Sequence, residues 1–234
     1  MPFKLWNSAE TLTSSDVNTY LGKQSVITCT EATRPTTGLV EGMTIYQTDT
    51  DNLWFYDGAT WMPATPLQPI KPTGATNGTV SGNVVTVGNG VSSVTVSGVF
   101  SSTYNSYLIS MEGGTMSASA SIGLQLGASA TGYYGFLSYG DVGANTPLGA
   151  ARNNSTIMNF VGGGVAGQAA HVHVVVMSPA RATYTKFVGG AYQNGNAYGT
   201  LQGEHRVATA YTSFLLQPDS GTFTGGQIRV YGYR

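Results

Sequence analysis

The chain has 234 residues, of which 10 are Lys or Arg and 11 are Asp or Glu, so 9% are charged against roughly 25% in an ordinary globular domain. With 30 Thr, 21 Ser and 32 Gly, its surface is wetted by hydroxyls and amides, and its backbone suits short strands joined by tight turns. A net charge of −1 without any cluster of Lys and Arg argues against a nucleic-acid partner, and the lone Cys29 excludes an intrachain disulfide or a paired-cysteine metal site. The N-terminus MPFKLWNSAE lacks the apolar run of a secretory signal. The longest aliphatic stretch, Val172 to Met177, falls far short of the roughly 20 residues of a membrane span. No membrane insertion is expected, and folding is expected in the cytoplasm where the chain is made.

Along the chain, Leu12-Thr13-Ser14-Ser15-Asp16-Val17 reads as a short helix start in which Thr13 caps the amide of Asp16 and Leu12 staples onto Val17. Val26 to Thr28 is a candidate strand. MTIYQT and NLWFYD flank Asp49-Thr50-Asp51 as a hairpin, and Asp57-Gly58 supplies a second turn before Trp61. Trp6, Trp54 and Trp61, with Leu12, Val17, Ile45 and Phe55, form the core or the docking surface of this module. About 65 residues with so few apolar side chains are marginal alone, so the module is expected to dock or to trimerise.

Prolines at 63, 66, 69 and 72 repeat every three residues, the period of polyproline II, and predict a stiff spacer. Charge changes sign there, from a net −4 over residues 1–66 to +3 over 67–234. The expected organisation is residues 1–62 as one module, 63–78 as linker and 79–234 as a second module. In the second, period-two alternation recurs: Val172, Val174 and Val176 against His171, His173, Val175 and Met177, and likewise Tyr107/Ile109/Met111, Ile122/Leu124/Leu126, Thr212/Phe214/Leu216 and Ile228/Val230. Eight to ten such strands separated by Gly, Asn and Ser predict an all-β chain: a helix-plus-hairpin module, then a jelly-roll-like β-sandwich.

Two stretches carry a family resemblance. TLTSSDVNTYLGKQSVI followed by ATRPTTGLVEGMTIYQTDTDNLWFYDGATW resembles the N-terminal module of bacteriophage tail fibres and minor tail proteins. The ending GTFTGGQIRVYGYR, with VFSSTYNSYLIS and GYYGF upstream, resembles the β-sandwich that closes such proteins. The resemblance implies a virion structural protein, homotrimeric, assembled in the bacterial host cytoplasm. Its first module would attach to other virion proteins through Trp6, Leu12, Val17, Trp54, Phe55 and Trp61, and its second would face outward, towards a host cell-surface glycan. No long fibre shaft is present, so a short tail fibre, a minor tail protein and a capsid decoration or head fibre all fit.

His171-Val172-His173 places two imidazoles at i and i+2 on one strand face, where three chains around an axis could offer six nitrogens to a metal; the other reading is two hydrogen-bonded surface histidines, and no metal is expected. Asp49, Asp51 and Asn52 lack the glycine and glutamate of a calcium loop and are read as a turn. Asp141 and Asp219 share no local motif of paired carboxylates, no nucleophile elbow or phosphate loop occurs, and Gly162-Gly163-Gly164 is read as a flexible loop. No catalytic residue and no cofactor are expected. Tyr133, Tyr134, Tyr192 and Tyr198, beside Asn194 and Asn196, are either glycan-stacking rings in turns or ordinary strand residues with wet hydroxyls. The expectation is a non-enzymatic phage structural protein. A carbohydrate-binding adhesin module is the alternative, and a polysaccharide hydrolase has less behind it.

Overall fold

A computed structural model describes residues 11, 13–16, 26–141, 143, 146–193 and 197–233, with backbone only at 191–193. The chain divides into two compact units, 1–68 and 69–234. The described residues are all-β, and helical geometry among them is confined to the three residues Ser14–Asp16. No helix among them is long and apolar enough to cross a membrane.

In the first unit the strands Ile27–Cys29, Thr44–Gln47, Asn52–Tyr56 and Trp61–Pro63 form one sheet in that order, parallel at the first pair and antiparallel thereafter. Both turns follow from their side chains. Asp51 takes a positive φ of 52°, which a short polar side chain tolerates. The Asp57 carboxylate accepts the backbone N–H groups of Ala59 at 2.9 Å and Thr60 at 2.6 Å, closing the loop around Gly58. Register puts Ile45 opposite Trp54 on one face, where they pack with Cys29 as a small core. The other face carries Tyr46, Leu53 and Phe55, all exposed.

The stretch 63–78, expected to be a free polyproline rod, is shared between sheets. Ala64 donates its N–H to Leu53 within the first unit, while Ile70 and Thr73 donate theirs to Val230 and Ser97 within the second. Gly74–Thr76 and Gly78–Ser81 are strands of the second unit. The physical reason is that proline lacks a donor and suits strand edges, whereas the residues between prolines own N–H groups that a neighbouring strand can satisfy. Ile70 adds a partly buried side chain against the core.

The second unit is built on one large sheet. Its central strand His171–Met177 lies antiparallel between Ser106–Glu112 on one side and Thr185–Gln193 on the other. Outward from Thr185–Gln193 follow Ala197–His205, Tyr133–Asp141 and the edge strand Thr146–Ser155. Beyond Ser106–Glu112 lies Gln227–Tyr233. The expected alternation is present: Val172, Val174 and Val176 are buried while His171 and His173 are exposed. Inward side chains of many strands, among them Tyr107, Ile122, Phe187, Phe214 and Phe223, join a single core.

Gly162-Gly163-Gly164 is not a flexible loop. It ends the buried strand Met158–Gly164, and Gly162 pairs with Ile122 on one side and Val172 on the other. A Cβ at Gly162 would run into the His171 carbonyl oxygen, so glycine is needed for two backbones to meet there.

Candidate functional site

Register fixes what the outward face of the outer strands displays. Reading across Tyr133–Asp141, Ala197–His205 and Thr185–Gln193, one row is Tyr134, Glu204, Lys186 and the next Phe136, Gln202, Val188. The third row is Ser138, Thr200, Gly190, continued by His173 on the central strand, and the fourth is Gly140, Tyr198. Intervening residues such as Phe187 and Leu201 are fully buried, so the alternation is what turns these side chains outward.

His171, His173 and Tyr198 line one groove of about 600 Å³, with Gln168 and the glycines 162, 190 and 199 around them. Tyr198 is 60% exposed and also lines a neighbouring groove with Ser138, Tyr139 and Asp141. Glycine at 190 leaves the backbone exposed beside the imidazoles and the phenol ring. The result is an open trough with an aromatic wall, ring nitrogens and an amide, able to stack on a sugar and hydrogen-bond its hydroxyls.

The other expected residues separate. Tyr133 is a core residue rather than a surface ring: it is fully buried, its hydroxyl accepts the Leu126 N–H at 2.7 Å, and its ring stacks on His205 at 4.1 Å. Burial pushes its pKa well above the ordinary phenol range. Its neighbour Tyr134 points the opposite way, half-buried under the Arg206 guanidinium 4.3 Å from its ring centre. The backbone of Tyr192 pairs with that of Tyr198, while Asn194 and Asn196 lie outside the described residues.

His205 faces inward, away from His171 and His173. It is completely buried, and its Nε2 and the Tyr211 hydroxyl share a 2.8 Å hydrogen bond. Among the described residues no three His, Cys, Asp or Glu side chains come together in a way that would hold a metal ion. The carboxylates also have separate local partners: Asp141 accepts the Gly143 N–H at 2.9 Å, and Asp219 accepts from Asn159 Nδ2 at 3.2 Å.

In the first unit the expected attachment residues split by face. Trp54 is 6% exposed in the small core, with the Arg34 guanidinium 4.8 Å from its ring centre, and half-buried Trp61 donates its indole N–H to the Pro35 carbonyl at 3.1 Å. Phe55 lies on the exposed face with Tyr46 and Leu53. Trp6, Leu12 and Val17 lie outside the described residues. Asp49 and Asp51 are turn residues, accepting from the Glu31 N–H at 2.9 Å and the Tyr46 hydroxyl at 3.1 Å.

No protein-family model, curated protein or solved structure matches the chain. Sequence reasoning missed Phe136, Lys186, Glu204 and Arg206, which line a further groove on the outward face. The alternation of KFV and LQGEH could have marked the outward side chains, but no single-strand pattern says which strands are neighbours.

Proposed function

We propose that the chain is a non-enzymatic bacteriophage virion structural protein, a short tail fibre or minor tail protein. Its first unit attaches to other virion proteins, and its second, a jelly-roll-like β-sandwich, meets a host cell-surface glycan. The observation carrying this reading is the gathering of Tyr198 with His171 and His173, which lie more than 20 residues before it in sequence, in one trough on the outward sheet face. A trough walled by an exposed ring and neutral polar groups binds by shape and hydrogen bonding. The first unit supplies a complementary feature, an exposed apolar sheet face at Tyr46, Leu53 and Phe55 of the kind that protein contacts cover. Assembly as a homotrimer belongs to the same reading.

The test is to locate a labelled copy on purified particles by electron microscopy and to measure adsorption of the purified full chain to host cells. Label on the particle, with adsorption weakened at least tenfold by Tyr198→Ala, supports the reading. A chain found only free in the lysate of infected cells removes it.

A further inference from the structure

Six residues along the strand from Tyr198, about 20 Å away on the same face, Glu204 anchors a groove of about 480 Å³ with a different character. Register places Glu204 between Tyr134 and Lys186. Its carboxylate accepts from Lys186 Nζ at 2.8 Å through one oxygen and from Arg206 Nε at 2.5 Å through the other. The side chains of Lys186 and Arg206 are 60% and 51% exposed and that of Glu204 only 20%, so the acid is sunk and the cationic ends stand outward. The Arg206 guanidinium also lies over the Tyr134 ring, and Phe136, 53% exposed, stands in the adjoining row.

Three cationic side chains, Arg152, Lys186 and Arg206, line the groove against the single acid Glu204, which leaves a surplus of two positive charges. The second unit is itself basic, with seven Lys or Arg against four acids over residues 67–234. Both partners hold the Glu204 carboxyl below the usual carboxylate range, so it stays ionised and keeps the two cations in place. A guanidinium and an ammonium aimed at solvent beside the exposed Phe136 ring match a sugar that carries an anionic group. The sugar's C–H face stacks on Phe136 while the anion takes charge-assisted hydrogen bonds from N–H donors that Glu204 leaves over.

We propose that this groove recognises a glycan bearing carboxylate or phosphate, with Lys186 and Arg206 taking the anion, Tyr134 backing the Arg206 guanidinium and Phe136 stacking on the adjoining sugar ring. This rests on the host-surface reading above and narrows its ligand to an acidic polysaccharide.

The experiment is binding of the full chain to an array of matched neutral, carboxylated and phosphorylated glycans, with host-cell adsorption measured on the same preparation. Expected hits are acidic, weaken at least tenfold in the Lys186→Gln/Arg206→Gln double variant, and weaken as salt is raised from 50 to 300 mM, all at roughly the parent melting temperature. Whether carboxylated or phosphorylated members dominate identifies the anion. Glu204→Gln leaves both cations unneutralised and is expected to bind acidic members as tightly or several-fold more tightly, the opposite of what a purely structural ion triad predicts. Lys186→Arg/Arg206→Lys is expected to restore most of the binding. Neutral hits unaffected by the double variant overturn the proposal and leave the host-surface reading standing. Absence of any glycan hit also overturns it, and adsorption to cells then decides whether that reading falls too. Loss of acidic binding in Glu204→Gln at unchanged melting temperature overturns it as well.

Discussion

The two units solve the same problem with unequal means. The first has a sheet of four short strands whose core is Cys29, Ile45 and Trp54, and it leaves Tyr46, Leu53 and Phe55 uncovered on the opposite face. The second closes one continuous core and shows solvent a face of mixed polar and aromatic residues. A single small core supplies only a few kcal/mol, so the first unit gains from a protein cover and the second does not need one.

The sharpest way to break this contrast is to damage each core. Phe214 is fully buried in the second unit, and Phe214→Ala is expected to cost about 3–5 kcal/mol through lost burial and a cavity. Urea unfolding followed by near-ultraviolet circular dichroism would read this as a large fall in the main transition midpoint. An unchanged midpoint would mean that the second unit's core is not what holds it. Trp54→Ala is expected to cost about 3 kcal/mol locally, enough to unfold the first unit while the main transition stays where it was. If both variants shift a single transition equally, the units are not energetically separate.

A smaller effect sharpens the comparison at the exposed faces. Phe55→Ser and Tyr198→Ala each remove an exposed ring and are expected to change stability by no more than about 0.5 kcal/mol. Under the proposed virion reading they differ in function, the first lowering incorporation into particles and the second lowering adsorption to cells. Purified particles assayed for both, with the variants exchanging these phenotypes, would reverse the assignment of the two faces.

Local pattern carried much of this architecture, and long-range pairing carried the rest. Alternation in HVHVVVM told inside from outside correctly, because a strand's period is fixed by backbone geometry. Turn chemistry at Asp51 and Asp57-Gly58 was equally readable. The proline spacing misled, because a three-residue period suits an exposed rod as well as strand edges, and only the partners of Ile70 and Thr73 distinguish them. Gly162 to Gly164 misled for a related reason: glycine marks a loop or a close approach of backbones, and the approaching strand His171–Met177 is known only from the fold. Tyr133 and Tyr134 carry the same local signal of a ring beside glycine, yet consecutive strand residues must face opposite ways. The trough itself could not be read, since it depends on Tyr198 and His171 reaching one place through the order of strands.

A further predicted effect is a dependence on pH that belongs to the second unit's core. His205 is buried against Tyr133 and Tyr211, and burial lowers its pKa from the ordinary 6.5, so the folded form holds it neutral where the unfolded chain begins to take up a proton. Its contribution to stability is therefore complete above about pH 6.5 and declines as pH falls below that value, with a slope of at most about 1.4 kcal/mol per pH unit, until the folded form also protonates. The carboxylates act differently. Asp57 and Glu204 have lowered values and lose their contribution only in more acidic solution, whereas burial raises Asp219, whose contribution grows as pH falls. Urea midpoints from pH 7.5 to 5.0 should therefore fall more steeply for the parent chain than for His205→Gln. That variant keeps a side chain able to bond the Tyr211 hydroxyl and removes the ionisation. Parallel curves would show that the imidazole takes up its proton alike in the folded and unfolded states, so that burial does not hold it neutral, and the first unit's transition should follow the same slope with either residue at position 205.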